Sequence, residues 1–522
     1  VKRRAILKKA GFVIPGFVGI ALIVWLGVGH TGSNQSRFTG PTSAEAPLPA
    51  SLVSDLERYV TRTMKQFDVP GVSMVLVHGD RVVYSRGIGV RDLETKAPVT
   101  TGTLFGIGST TKSMTALMIA TLVEDGVIDW DTPVMDVMPA FALSNPAIAK
   151  AVTFEHTLCM CTGVPRRMEE ISTRYSEMTA RDVVESLATI PLSGTFERQF
   201  NYSSRMLAAG GYLAAMAAGG GYGDLAQSYT DLMQERVLDP LGMTSSTFSI
   251  EEAVAGGNYA TPYYSTLSGY RAVPPEIEGM FAPIAPAGSL WSNADDMANY
   301  LIMLLNGGVS AGGQRVVSAE SLSNLWQPRV AIDAKIGYAL GWHVEDYHGL
   351  QVIHHPGGTV GFASELVVIP ERNVGFALLA NRMDLVAPVG RMATYRLLEM
   401  LTGSEQVYDR QVREAARDVR RQVLTLSFVA RKKVDPDEIA PYLGAYHNGI
   451  LGEIELVLHE DNSLYVDFGE YESEVRRLVP EENQFLFYES VFVGKTLTLN
   501  QDAQGNVTVT WPGDEAVYRF VR

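Results

Sequence analysis

Alternation of apolar and polar positions in "GVSMVLVHGDRVVYSRGIGV" (71–90) predicts two strands joined at His78-Gly79-Asp80, with a third close behind. The pattern then changes period. "LFGIGSTTKSMTALMIATLVEDG" (104–126) has the apolar content of a buried helix, entered through a short stretch of glycine, serine, threonine and lysine. A further helix is expected from Ser51 ("LVSDLERYVTRTMKQF"), and mostly helical sequence fills about 114–245, ending in "YTDLMQERVLDPLGM". Strand patterns return at about 350–380: "LQVIHH", then "FASELVVIP" and "VGFALLA" around the turn "ERN". Strands at both ends with helices between imply one sheet built from distant segments beside a helical lobe. This is an α+β arrangement.

Residues 51–405 form this unit. An Arg-rich helical connector follows over 406–434. From 435 to 522, short β-rich runs such as "GEIELVLHEDNSLYVDF" and "KTLTLNQDAQGNVTVTW" alternate with turn signals. That spacing predicts a small antiparallel barrel or sandwich. At the other end, "VKRRAILKKA" carries five Lys/Arg and no acid, and Gly11–Gly29 runs 19 residues without a charge. That length matches the hydrocarbon core of a bilayer, and the basic flank predicts that it stays cytoplasmic while the rest is exported. Residues 1–30 are therefore expected to be a transmembrane anchor. A cleaved signal segment is the competing reading, against which stand the length of the run and the lack of an A-x-A site. Residues 31–50, rich in Gly, Ser, Thr and Pro, read as a linker. The catalytic part is expected in the periplasm or outside the cell, held at the membrane if the first segment stays and secreted if it is removed.

Composition narrows the choices. With 46% hydrophobic and 19% charged residues among 522, the chain is globular, and its net charge of −15 argues against nucleic acid as a partner. Cys159 and Cys161 are the only cysteines, so there is no disulfide framework. A bridge between them would close a very short, strained loop, and both are read as small buried hydrophobes. The nine histidines include no H-E-x-x-H, and His354 and His355, neighbours on an expected strand, point to opposite faces. Neither a metal nor another cofactor is expected.

The chemistry concentrates at Ser109 and Lys112, three positions apart on one helical face. A helix start supplies free N–H groups and positive potential, which favour a nucleophilic oxygen and disfavour a protonated amine. Burial lowers the amine pKa further, and a neutral lysine can accept the hydroxyl proton. A capping lysine in solvent is the plain alternative. "GVSAG" (308–312) imitates a nucleophile elbow, but a helical pattern precedes Ser310 where that motif needs a strand, so it is set aside.

"GTLFGIGSTTKSMTALMIATLVEDGVIDWDTPV" resembles the nucleophile segment of the penicillin-recognising serine hydrolases. That family holds class C β-lactamases, D-Ala-D-Ala carboxypeptidases, D-aminopeptidases and β-lactamase-like esterases. The resemblance continues in order through "VTFEHTLCMCTGVP", "FERQFNYSSRMLAAGGYL", "VLDPLGMTSSTF", "PAGSLWSNADDMANYLIMLLNGG", "YALGW" and "HHPGGTVGF", covering about Ser51 to Leu401. It implies a β-lactamase/transpeptidase-like fold, an antiparallel sheet flanked by helices plus a helical lobe. It also implies Ser109 as nucleophile, Lys112 as its base, and Tyr202 as the relay to the leaving group. His355 would orient a substrate carboxylate or tune Tyr202, and His354 would be structural. Gly357 would let the substrate backbone lie against the strand. The amides of Ser109 and Gly358 would form the oxyanion hole.

Two departures from the family pattern matter. Ser204 stands where the family has an asparagine that bonds the substrate amide, and Pro356 replaces a Thr or Ser on the substrate-facing strand. Both weaken recognition of β-lactams more than acyl transfer. The resemblance thus implies a serine hydrolase working through an acyl-enzyme on ester, amide or peptide-like small substrates. A true β-lactamase or D-Ala-D-Ala carboxypeptidase is the alternative, and a catalytically silent protein binding peptidoglycan or a protein partner is the rival of another class. The C-terminal module resembles the lipocalin-like domains of D-aminopeptidase-type relatives. It would cover the cleft and limit substrate size, or drive assembly into a homo-oligomer.

Overall fold

The computed structural model describes residues 48–522 apart from 268, 384–387, 481–482, 490 and 514–515. The apolar run Gly11–Gly29 lies outside these residues. Among the described residues no helix is long and apolar enough to cross a membrane.

Helix α1 (Ala50–Gln66) leads into the hairpin of β1 (Gly71–His78) and β2 (Arg81–Gly89). Helix α2 (Thr111–Glu124) follows the Ser109 turn, and α3 (Ser204–Ala217) and α4 (Ala294–Leu305) belong to the helical part. The chain then returns as β3 (Val330–Ala331), β4 (Ile336–Tyr338), β5 (His343–Tyr347), β6 (Leu350–Gly358), β7 (Ala363–Ile369) and β8 (Val374–Ala380). Helix α5 (Val389–Thr402) ends this unit.

The sheet order is β2-β1-β8-β7-β6-β5-β4-β3, with antiparallel pairing throughout. The first hairpin therefore joins a strand almost three hundred residues away, Val72 opposite Ala380 and His78 opposite Val374. Period-two alternation assigns the faces. Val75, Val77, Leu366, Val368, Ala377 and Leu379 face α2, α4 and the helical lobe. Met74, Leu76, Val367, Ile369, Phe376 and Leu378 face α1 and α5. Strands β3 to β5 extend the sheet beyond the 350–380 region where the sequence pattern had strands. Each is five residues or fewer, too short to show a period.

Helix α6 (Tyr408–Val429) connects to a second sheet: β9 (Ala430–Arg431), β10 (Gly444–Asn448), β11 (Gly452–Leu458), β12 (Leu464–Asp467), β13 (Glu472–Leu478), β14 (Gln484–Phe487), β15 (Thr496–Gln501), β16 (Val507–Pro512) and β17 (Val517–Val521). The order β13-β12-β11-β10-β17-β16-β15-β14 returns to β13, so these eight strands close a barrel and β9 is an outside appendage on β13. Its interior is filled by aromatics, including Phe468, Phe487, Phe492, Trp511 and Phe520. A closed eight-stranded barrel of this size holds side chains.

One expectation is overturned. Cys159 and Cys161 are bonded to each other rather than free in the core. Met160 between them adopts the left-handed region (φ 55°), which folds the chain back tightly enough for the two sulfurs to meet.

Candidate active site

Helix α2 is apolar on all sides and every residue from Thr111 to Leu122 is buried, so its first turn is carried into the interior. Ser109 lies in the 3₁₀ turn Gly108–Thr110 that opens it. Gly108 has φ +52°, and a Cβ there would lie 2.7 Å from both the amide nitrogen and the carbonyl oxygen of Gly358. Glycine is therefore required on two counts: the left-handed backbone and the close approach of the β6 end. The turn is anchored from several sides. Ile107 N–H donates to Leu290 O (2.9 Å), and Phe105–Gly106 pairs with Trp291–Ser292. Ser364 on β7 donates to Ile107 O (2.7 Å) and accepts from Thr110 Oγ1 (2.7 Å).

Lys112 has no exposed surface. Its Nζ lies 2.9 Å from Ser109 Oγ and donates to the Ala287 carbonyl at 2.5 Å. Burial pushes its pKa well below the ordinary lysine value, and the Arg166 guanidinium pushes it further the same way. Both effects favour the neutral amine beside a partly exposed serine.

Tyr202 immediately precedes the Ser203 cap of α3, whose hydroxyl accepts from Met206 N–H (3.3 Å). Its ring sits 5.0 Å from Lys112 Nζ and 5.9 Å from the Arg166 guanidinium carbon. Burial pushes the phenol up to about 12, against the pull of the Ser109 hydroxyl, of Arg166 and of Ser204. Ser109, Lys112 and Tyr202 are therefore brought together. Ser204, the first residue of α3, is buried on the Tyr202 side.

His355 is also in this cluster, its ring 6.4 Å from that of Tyr202, but it is only 1% exposed. Its Nδ1 donates to the Pro356 carbonyl (2.7 Å), since a carbonyl can only accept. Nε2 is then the acceptor for the Tyr338 hydroxyl at 3.1 Å. Burial keeps the imidazole neutral, its pKa well below the usual value, with His343 and Lys112 adding to the effect. Tyr338 in turn meets Tyr202 edge to face at 6.3 Å. This closed geometry suits tuning of Tyr202 rather than contact with a substrate carboxylate.

Gly357 lies against the Ser109 turn. A Cβ there would lie 2.0 Å from Ile107 O and 2.1 Å from Ser364 Oγ, so the missing side chain admits the protein's own nucleophile turn. The backbone of Gly358, its amide nitrogen included, lies against Gly108, the residue before Ser109. Ser310 is buried in a turn after α4, its amide donating to Gln314 O (2.8 Å), with none of the strand-to-helix geometry of an elbow. His354 faces the other side of the sheet, where Arg391 lies 2.8 Å from its Nδ1.

Sequence reasoning missed Tyr338, Ala287 and Arg166. The first stands in "YALGW", the second in "PAGSLW" and the third follows "CTGVP", so each lies in or beside a segment that carries the family resemblance. Nothing in its residue type marks a function. Among the described residues no group of three or more His, Cys, Asp or Glu could hold a metal ion.

Residues 56–400 match the family described as Beta-lactamase. The chain is 29% identical over 449 residues to unguisins hydrolase ungD' of Aspergillus campestris, covering 80% of each chain. It is 29% identical over 320 residues to penicillin-binding protein 4 of Amycolatopsis lactamdurans, covering 60% of this chain and 81% of that one. Among solved structures, the octameric penicillin-binding protein homologue from Pyrococcus abyssi superposes with a TM-score of 0.59 at 23% identity, over 90% of this chain and all of that one. The ordered motifs, the sheet that brings them together and the match over most of the chain agree: this protein belongs to the β-lactamase family.

Proposed function

We propose that the protein is an exported serine hydrolase that acts through an acyl-enzyme on ester, amide or peptide-like substrates. The observation that carries this reading is the position of Lys112: a fully buried amine 2.9 Å from Ser109 Oγ, where burial favours the neutral form. In the forward step Lys112 accepts the hydroxyl proton as Oγ attacks the substrate carbonyl. The tetrahedral oxyanion is received by the amides of Ser109 and Gly358. Tyr202 passes the proton to the departing alcohol or amine, its high pKa keeping it protonated until then. Water then attacks the acyl-enzyme and the same groups return the proton to Ser109.

The substrate class rests on Ser204 and Pro356, which remove an amide partner and a hydroxyl that β-lactam recognition would use. The Aspergillus relative, named for hydrolysis of unguisins and matched over 80% of both chains, supports the same direction. Export is supported by the basic flank and apolar run of residues 1–30 and by the Cys159–Cys161 bond, which persists in oxidising compartments. We place the enzyme at the outer side of a membrane through that segment. Assembly into a homo-oligomer is suggested by the octameric neighbour.

A fluorophosphonate is expected to label Ser109, and Ser109→Ala to abolish labelling. Label that persists at another serine overturns the assignment. Parallel assays on a p-nitrophenyl ester, a D-amino-acid amide and a chromogenic cephalosporin are expected to rank the cephalosporin last.

A further inference from the structure

The barrel is seated on the hydrolase unit through polar contacts as well as apolar ones. Tyr471 and Val491 of the barrel pack with Tyr264, Met280 and Val360. Lys495 pairs with Glu169 at 2.6 Å, and Glu470 accepts from the Ser176 amide at 2.8 Å. One contact differs from the rest because it continues inward. Tyr518 on β17, its ring in the barrel core beside Trp511, donates its hydroxyl to Glu170 Oε1 (3.3 Å). The same carboxylate accepts from Arg167 (3.1 Å) and, through Oε2, from Arg205 (3.2 Å).

Arg205 is the second residue of α3, three positions after Tyr202, and it is 1% exposed. Its other guanidinium nitrogen donates to Ser186 Oγ at 2.6 Å. Glu170 is itself buried. A buried carboxylate that satisfies three donors from three segments cannot shift without leaving a charge unpaired, so its position is sharply defined.

We propose that Glu170 is a positioning residue, which carries the docking of the barrel to the end of α3 that bears Tyr202. The barrel is then a working part of the catalytic arrangement, and the last strand of the chain reaches the proton relay through a path of Tyr518, Glu170 and Arg205. Glu170 makes no contact with Ser109 or Lys112 and takes no proton itself. Its effect on rate rests on the function proposed above, whereas its effect on the geometry of α3 does not.

The test uses the full chain and two variants, Tyr518→Phe, which removes one hydroxyl, and Glu170→Gln. Hydrogen exchange of amides 201–206 and steady-state hydrolysis of a p-nitrophenyl ester are followed together. Tyr518→Phe is expected to speed exchange at 201–206 and to lower kcat about tenfold with little change in KM. Glu170→Gln is expected to approach a ~10²-fold loss, the scale of a small misplacement of a catalytic group. If Glu170→Gln does not fold, Tyr518→Phe alone decides. Exchange at 201–206 unchanged in Tyr518→Phe overturns the proposal, whatever the activity. A wild-type chain that hydrolyses no ester and takes no fluorophosphonate instead overturns the proposed function, and the exchange measurement still decides the coupling.

Discussion

Strand β6 separates two basic side chains, fully buried Lys112 and partly buried Arg391, that live under opposite rules. On the His355 face, Lys112 has a serine and a carbonyl as partners and no carboxylate among the described residues, and burial favours its neutral form. On the His354 face, Arg391 lies 3.3 Å from both Glu345 and Glu365, and Tyr395 donates to Glu345 at 2.9 Å. Despite burial, its carboxylate and phenol neighbours hold its pKa above the usual value. Glu365 is pushed up to about 7 by burial, with Arg391 pulling the other way. Between them His343, stacked on His354 at 5.2 Å and 4.9 Å from His355, is pushed down to about 3, first by burial and then by Arg391. The difference teaches how one sheet holds a reactive and an inert cation. Compensation by carboxylates makes a buried charge structural, and its denial makes a buried amine a base.

Removing each cation breaks the comparison in a different observable. Lys112→Met is expected to slow fluorophosphonate labelling of Ser109 by roughly 10²–10⁴-fold, the range of general base catalysis, in a chain that still folds. Labelling at the wild-type rate refutes the assignment of Lys112. Arg391→Met is expected to act on stability instead, costing about 3–5 kcal/mol because Glu345 and Glu365 lose their counter-ion. Denaturant unfolding measures this loss, which shrinks as pH falls and Glu365, pushed up to about 7, takes up a proton. The folded fraction should label at close to the wild-type rate.

Next in size is the effect of pH. The unfolded chain keeps the Lys112 proton up to the ordinary lysine range, and the folded one gives it up at lower pH. Stability from this group therefore rises with pH between the depressed and the ordinary lysine value. Lys112→Met should remove that part of the slope. The labelling rate of the wild type should reach its plateau below the ordinary lysine range and fall only as Tyr202 ionises at about 12. A rise confined to the ordinary lysine range would place the charge back on Lys112. The smallest effect is expected from Ser364→Ala, which removes the link between β7 and the Ile107 carbonyl and should cost about 1 kcal/mol. Thermal unfolding can resolve it.

What could be read from the sequence was what is local. The nucleophile helix shows its apolar circumference, the first hairpin its alternation, and Ser109 with Lys112 its one-turn spacing. Tyr202 emerged from the order of motifs, since a tyrosine before a helix cap is otherwise unremarkable. What escaped was made by segments distant in the chain. The Ala287 carbonyl that fixes Lys112 is 175 residues away. The value of a bare Gly357 appears only when Ile107 is laid against it. The Cys159–Cys161 bond escaped for another reason. Spacing alone argues against it, and only the left-handed Met160 makes it fit. The Met160 carbonyl then receives the Asn201 amide at 2.7 Å, so the pair also braces the approach to Tyr202.

The strand order has a temporal side. Because β1 finds its second neighbour only in β8, a chain emerging from its amino end carries a hairpin with an open β1 edge until about residue 380 has appeared. Ser109 and Lys112 are made early, but the Gly358 edge that frames them is made late, so no intermediate of synthesis possesses a finished catalytic pocket. Such a topology favours slow, all-at-once assembly, and it exposes a sticky sheet edge to other chains in the meantime. Production of this protein should accordingly be limited by what protects that edge during folding, more than by the strength of the completed core.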